Sequence, residues 1–165
     1  LTHDELVERA RRWLAGKQRC SVVATEIKVG YGEIADAIGW KGIASHVVEC
    51  KTSRADYIAD QKKQFRADAP WLGLGQYRWY MCEPDVIVEP MLPHKWGLVY
   101  VASNGVRIIR KAEAQTENYG GAVDVLLSIL RRVNLADEGH VSLTVRRYEF
   151  DTRSTATLTV EGGSE

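Results

Sequence analysis

Three Glu/Asp-x-Lys triplets occur in the chain, Glu26-Ile27-Lys28, Glu49-Cys50-Lys51 and Asp60-Gln61-Lys62, where average usage of charged residues gives roughly one by chance in this length. An acid and a lysine two residues apart share a face only on an extended strand. Asp60-x-Lys62 falls in a helical pattern, where such residues do not face each other. Glu26-x-Lys28 has a suitable strand but no acid on a strand before it. Glu49-x-Lys51 ends the apolar run "SHVVECK" and follows "IADAIGW", whose Asp36 lies one strand and one tight turn earlier. Two carboxylates on adjacent strands, with a lysine beside them, can then converge on one polar site.

The chemistry such a site suits is metal-assisted phosphodiester hydrolysis. Mg²⁺ is a hard cation that takes oxygen ligands, typically one or two carboxylates with waters and substrate phosphate oxygens. Asp36 and Glu49 would supply the carboxylates, and the backbone carbonyl of Cys50 is a candidate third ligand. The metal would acidify a bound water and neutralise charge developing on the phosphate. Lys51 would orient the attacking water and offset the repulsion between the acids. Glu26 is either a further ligand or a partner for Lys51. A plain cross-strand ion pair at a strand end fits the spacing of Asp36, Glu49 and Lys51 as well, and Glu26 can equally pair with Lys28 at the surface.

The elements that must position these residues follow from pattern and punctuation. Leu6, Ala10, Trp13 and Leu14 have helical spacing after a Thr2/Glu5 capping box, and Gly16 stands where that helix would end. Three strands follow at 20–29, 32–40 and 45–51, separated by glycine-containing turns. A second helix begins at Ser53, capped by Ser53 and Asp56, with Ile58, Gln61/Lys62 and Phe65 on one face and Pro70 beyond its end. A fourth strand spans 75–82, a Pro-rich link comes next, and "WGLVYVAS" with "VRIIRKAEA" forms a hairpin around Asn104-Gly105. Ala122, Val123, Leu126, Leu127, Leu130 and Val133 give a third helix from Tyr119 to Val133. The order is α-β-β-β-α-β with an added hairpin and helix, an α/β class with a mixed central sheet. Residues 1–134 read as one domain, and 135–165 as an extension with short Thr- and Val-rich strands and a disordered "EGGSE" tail.

Composition sets the outer limits. At 165 residues and 45% hydrophobic content the chain can bury one core. Lys plus Arg and Asp plus Glu both number 22, so there is no global basic field and any nucleic-acid contact must use a local patch. Arg54, Lys62, Lys63 and Arg66 make a candidate stripe for a phosphate backbone, although a solvated helix face accounts for them too. Cys20, Cys50 and Cys82 match neither a metal-binding spacing nor a disulfide framework, which points to a reducing, cytoplasmic setting. No apolar run approaches the roughly 18 residues of a membrane span, and the charged start is unlike a signal peptide. His46 should face away from the acids, as a core or second-face residue. Trp71, Trp79, Tyr80 and Trp96 can stack on bases, yet core packing is the more frequent use of such residues.

Asp36 and Glu49-x-Lys51, on the second and third strands of an α-β-β-β-α-β order, resemble the PD-(D/E)xK nuclease superfamily over about residues 4 to 82. The runs "TEIKV", "IADAI", "VVECKTSRADYIADQKKQF", "YRWYMCEPD" and "LPHKWGLVYVASNGVRIIRKA" are similar to its MmcB-like branch, which extends the resemblance to about residue 115. The matching positions are Glu26, Asp36, Glu49, Lys51, Ser53, Asp56, Tyr57, Asp60, Gly97 and Leu98. Ala35 stands where the superfamily motif has proline, which removes no ligand. The resemblance implies a restriction-endonuclease-like core, Mg²⁺ with Mn²⁺ as substitute, DNA as partner, and endodeoxyribonuclease activity in DNA repair. Two other readings stay open: a non-catalytic nucleic-acid binding or assembly module that keeps the fold, and a hydrolase of a small phosphorylated molecule. A symmetric homodimer is the default assembly where one forms.

Overall fold

The computed structural model describes residues 1–28, 34–63, 66, 69–103, 105–134 and 144–145. Its elements in chain order are α1 (His3–Gly16), β1 (Val22–Lys28), β2 (Ile34–Lys41), β3 (Ala44–Lys51), α2 (Arg54–Gln61), β4 (Tyr77–Cys82), β5 (Gly97–Ala102), β6 (Gly105–Arg110), α3 (Tyr119–Asn134) and the two-residue β7 (Thr144–Val145). Short 3₁₀ turns at Pro70–Leu72 and Glu89–Met91 interrupt the links around β4. The expected α-β-β-β-α-β order is observed, followed by the hairpin and the last helix. Beyond residue 134 only Thr144 and Val145 are described, so the expected tail lies outside the described residues.

One mixed sheet of order β6-β5-β4-β3-β2-β1-β7 organises the chain. β1, β2 and β3 form an antiparallel meander, β4 and β5 run parallel to β3, and β6 and β7 close the edges antiparallel. A parallel step from β3 to β4 needs a crossover, and α2 with its following link provides it. Alternation along β3 then sorts its side chains: Val48 and Cys50 join α1 in one core layer, while Val47 joins the opposite layer beneath α3. Glu49 and Lys51 share the face of Val47. A third cluster, Tyr57 of α2 with Tyr80, Leu98, Trp96 and Ile87, packs beside them.

The first helix starts as its sequence requires. Thr2 accepts from the Glu5 backbone, and the Glu5 carboxylate accepts from Thr2. The faces of the other two helices differ from expectation. In α2 the buried residues are Tyr57 and Asp60, whereas Ile58 is exposed, and Phe65 lies outside the described residues. In α3 the sheet takes Ala122, Val125 and Ile129, leaving Val123, Leu126, Leu127 and Leu130 on the outer side. Apolar residues surround α3 almost completely, so periodicity admits more than one inward stripe. Docking on β1 selects the one with the small Ala122 at its start.

Two backbone features explain local sequence choices. A Cβ on Gly97 would come within 2.2 Å of the Trp79 ring and 2.8 Å of the Ala112 nitrogen, so only glycine lets β5 pass this close to Trp79. Glu26 has a left-handed φ of 53° inside β1, a conformation costing a non-glycine residue roughly 1 kcal/mol or more. The two flanking pairs, Thr25 with Ala37 and Ile27 with Ala35, keep their register, and Ile27 turns into the core.

His46 lies in the core as expected, stacked on Tyr77 with 4.8 Å between ring centres, and its Nδ1 accepts from Trp79 Nε1 at 3.4 Å. Burial, helped by Lys41, pushes its pKa down to about 4. A base with a lowered folded pKa favours the neutral form in the fold. Stability from His46 is therefore complete above the unfolded value near 6.5 and is lost as pH falls toward 4, by on the order of 3 kcal/mol. Glu49, whose pKa is raised (below), acts oppositely between its ordinary value and about 8. The two are separated by comparing urea unfolding of wild type and His46→Gln at pH 7.5 and pH 5. The wild type should lose more stability on acidification than the variant, and equal losses would remove His46 as the cause.

Candidate active site

Glu49 and Lys51 leave the end of β3 on the face covered by α2, and both are almost completely buried. Asp36, on the neighbouring β2, accepts a 2.7 Å hydrogen bond from the Cys50 backbone N–H, which ties its carboxylate to the β3 end. The β2–β3 register, with Ala37 opposite Val48, puts Asp36 and Glu49 at adjacent positions of one face. Lys51 Nζ lies 3.5 Å from Glu49 Oε2 and 3.4 Å from Asp60 Oδ1. The structure thus brings Asp36, Glu49 and Lys51 to one place, and adds residues that the spacing argument left out.

Asp60 is the main addition. It is 1% exposed, three residues after Tyr57 on the inner face of α2. Lys63 Nζ sits 2.7 Å from its Oδ1, and Arg66 Nε and the Tyr80 hydroxyl reach its Oδ2 at 3.2 and 2.7 Å. Gln61 in turn donates to the Tyr80 oxygen. The Asp60-x-Lys62 pair cannot form a site, since Lys62 is exposed on another side of the helix. The aspartate enters the cluster without that lysine. A Tyr/Asp pair at i, i+3 beneath a crossover helix is the signal that would have flagged it.

Arg66 is a second addition in kind. Its guanidinium lies 3.2 Å from Glu49 Oε1, over the face of Trp96 at 4.7 Å, with the side chain 2% exposed. Of the four expected phosphate-tracking cations, Arg66 and Lys63 are engaged with the acids, Arg54 donates to the Asp85 carbonyl, and Lys62 is exposed. They do not line up as one outward stripe, because α2 ends before Lys62 and the Arg66 side chain lies buried against the acids. Glu26 is exposed and takes no part in the described ion pairs and hydrogen bonds of this cluster; its left-handed backbone takes it out of the alternation that would have aimed it beside Asp36. The side chain of Lys28 lies outside the described residues. Ser53 accepts from the Asp56 backbone N–H and so caps α2 as expected, whereas Asp56 takes part through its backbone and no reciprocal bond from its carboxylate is among the described hydrogen bonds. At the start of α1, His3 Nε2 stands 3.6 Å from Asp36 Oδ1.

The electrostatics are those of crowded acids in a dry place. Burial, opposed by Arg66 and reinforced by Asp36, pushes Glu49 up to about 8. Burial also raises Asp36, against the Cys50 hydrogen bond and Lys51. Asp60 goes the other way: its burial is outweighed by Arg66 and Lys51, and its carboxylate is held well below the usual range. For Lys51, burial favours the neutral amine, but Glu49, Asp60 and Asp36 more than reverse it, so the ammonium is retained. Burial and the Asp60 charge raise the Tyr80 phenol, which remains a donor. Divergent carboxylate values in one cluster are a mark of functional sites, though structural ion-pair networks also produce them.

Oxygen donors from Asp36 and Glu49 suit a hard dication. Glu49 Oε1 is buried and receives no hydrogen bond among the described residues, since its approach to Arg66 is an ion pair only. That buried acceptor without a hydrogen bond fits a metal at this face. Among the described residues no three His, Cys, Asp or Glu side chains converge as a ready-made metal site. A two-carboxylate site must therefore be completed by a backbone oxygen such as that of Cys50, by water or by substrate.

No family model and no curated protein matches the chain. Among solved structures, the chain is similar to the SPO1766 protein of unknown function from Silicibacter pomeroyi, at 24% identity and a TM-score of 0.62, covering 85% of this chain and 96% of that one. At that identity the likeness is one of fold. The cysteines Cys20, Cys50 and Cys82 are buried and unpaired, and among the described residues no helix is long and apolar enough to cross a membrane.

Proposed function

We propose that the protein is a Mg²⁺-dependent DNA nuclease, or nuclease-like repair factor, of the PD-(D/E)xK type with a restriction-endonuclease-like core. One observation carries this reading: Asp36 and Glu49 sit at adjacent positions of neighbouring strands, with Lys51 on the same face, at the end of the sheet strand where α2 begins. Asp36, Glu49 and the Cys50 carbonyl would hold the metal. When bound, the metal would polarise the phosphate and supply an acidified water. Lys51 holds a positive charge beside the reacting phosphate. Asp60, hydrogen-bonded by Tyr80, keeps that ammonium protonated and fixed in direction. Arg66 neutralises Glu49 in the absence of a metal.

Metal binding and turnover test the reading separately. Mn²⁺ titration by calorimetry should show a site that Asp36→Asn and Glu49→Gln each weaken at least tenfold. The same variants should lose Mn²⁺-supported cleavage of single-stranded, duplex or branched DNA. If neither wild-type cleavage nor Asp36-dependent metal binding is found, the nuclease reading fails.

A second reading has its own observation. Glu49 and Asp60 are ion-paired with Lys51, Lys63 and Arg66, and Asp36 lies beside His3 within the field of Lys51 and Lys63, so three carboxylates face three fixed cations and the cluster can be electrically complete without a metal. A non-catalytic DNA-binding or assembly module of the same fold would have this property. It predicts DNA binding indifferent to Mn²⁺ and to Lys51→Ala.

A further inference from the structure

Beyond Arg66 the surface opens into a cavity of about 400 Å³, walled by Trp71, Trp96, Lys95, His94, Gln115 and Arg66 itself. Arg66 is thus shared: it touches Glu49 and Asp60 on one side and contributes to the cavity wall on the other. The volume lies within the range of small-ligand sites, roughly 300–1,000 Å³. Its chemistry is unusual for a plain crevice. Trp71 is 58% exposed, although a large aromatic ring gains by burial, while the other aromatic residues of this region, Trp79, Tyr80 and Trp96, are all buried. The amide nitrogen of Gln115 is buried and donates to nothing among the described residues, so turning that amide toward the cavity breaks no hydrogen bond. Lys95 holds a left-handed φ of 65° at the cavity edge, a strain of the kind found at ligand sites.

The walls are built to persist. Arg78, completely buried, donates to the carbonyls of Pro70, Gly73, Gly75 and Thr116, and so ties the turn carrying Trp71 to the segment carrying Gln115. The Gln115 backbone N–H also donates to the Gln76 carbonyl. A site held open in this way spends little ordering energy on binding.

We propose that this cavity receives one unpaired nucleobase of a DNA strand, stacked on Trp71 and met on its edge by the Gln115 amide, with Lys95 set for an adjoining phosphate. Each part answers a distinct feature of a nucleotide. An exposed indole face suits any base, a side-chain amide matches the donor and acceptor edge of a base, and the lysine matches the backbone. A paired base in duplex DNA cannot enter, so the substrate class is DNA with a single-stranded or frayed segment beside the carboxylate cluster. This deepens the nuclease reading and rests on it for the chemistry, although base binding needs no metal.

Fluorescence anisotropy with a labelled single-stranded 12-mer, an equal-length duplex, and the same single strand made abasic, all in EDTA, tests it. Wild type should prefer the intact single strand. Trp71→Ala should weaken that complex about 5- to 100-fold, as expected for one stacked base, and Trp71→Phe should restore most of the loss. Duplex binding should change less than twofold. Because Trp71 is mostly exposed, its variants are expected to fold, which circular dichroism checks. Equal binding of the abasic strand, or a Trp71→Ala loss of the same size on the duplex, would overturn the proposal. The two readings fail in different ways: metal-dependent cleavage indifferent to Trp71 sinks the base site alone, while Trp71-dependent binding without cleavage sinks the nuclease alone.

Discussion

Lys51→Ala is expected to reduce Mn²⁺-supported DNA cleavage by on the order of 10²- to 10³-fold, the usual cost of deleting one fixed charge-stabilising group from an active site. The reason is specific to this geometry. The ammonium is buried between Glu49 and Asp60 and cannot be replaced by solvent. Truncation leaves Asp60 still engaged by Lys63, Arg66 and Tyr80, so the cluster does not collapse. DNA affinity should change little, because the lysine acts on the reacting group and not on the backbone as a whole. Cleavage rates measured at saturating DNA, beside an anisotropy titration, decide the matter. A fall in affinity that accounts for the whole loss would mean that Lys51 binds and does not catalyse.

Arg78→Met is expected to cost about 3–5 kcal/mol of stability, the range for breaking a buried charged network. Four carbonyls lose a charge-assisted donor; those of Pro70 and Gly73 keep a backbone donor, while those of Gly75 and Thr116 lose the partner described for them, and a buried acceptor left unpaired is itself worth roughly 1–3 kcal/mol, with strong non-additivity. At this chain length the loss corresponds to a melting temperature lower by roughly 10 °C. Methionine keeps much of the aliphatic volume, so the effect reports hydrogen bonding more than a cavity. Thermal melts monitored by tryptophan emission measure it. A shift below about 2 °C would show that water replaces the guanidinium cheaply, and that the walls around Trp71 are less firmly tied than their hydrogen bonds imply.

Much of the fold was legible because local signals agreed with the global arrangement. The Thr2/Glu5 box, the apolar runs of β2 and β3 between glycine-containing turns and the Ser53 cap each specify structure within a few residues, and each is present. Where local signals were degenerate, the reading went wrong. Ile58 and Tyr57 are adjacent on α2, and only the packing of Tyr57 against Tyr80, with rings 5.1 Å apart, turns the helix to bury Asp60 instead of exposing it. The outward Leu127 and Leu130 of α3 have the same origin.

For the candidate site, the sequence alone determined that Glu49-x-Lys51, among three such triplets, has an acid on the strand before it. Strand periodicity is a local rule, and a two-residue spacing is enough to apply it. Tertiary structure alone decided the company this trio keeps. Asp60 and Arg66 come from a helix and its following link, Tyr80 from a parallel strand reached by crossover, and His3 from the opposite end of the chain. Burying a charge is tolerable only when its partners arrive together, and no spacing rule covers partners drawn from four separate segments. Glu26 shows the converse: its spacing was right, and one left-handed backbone angle kept it out.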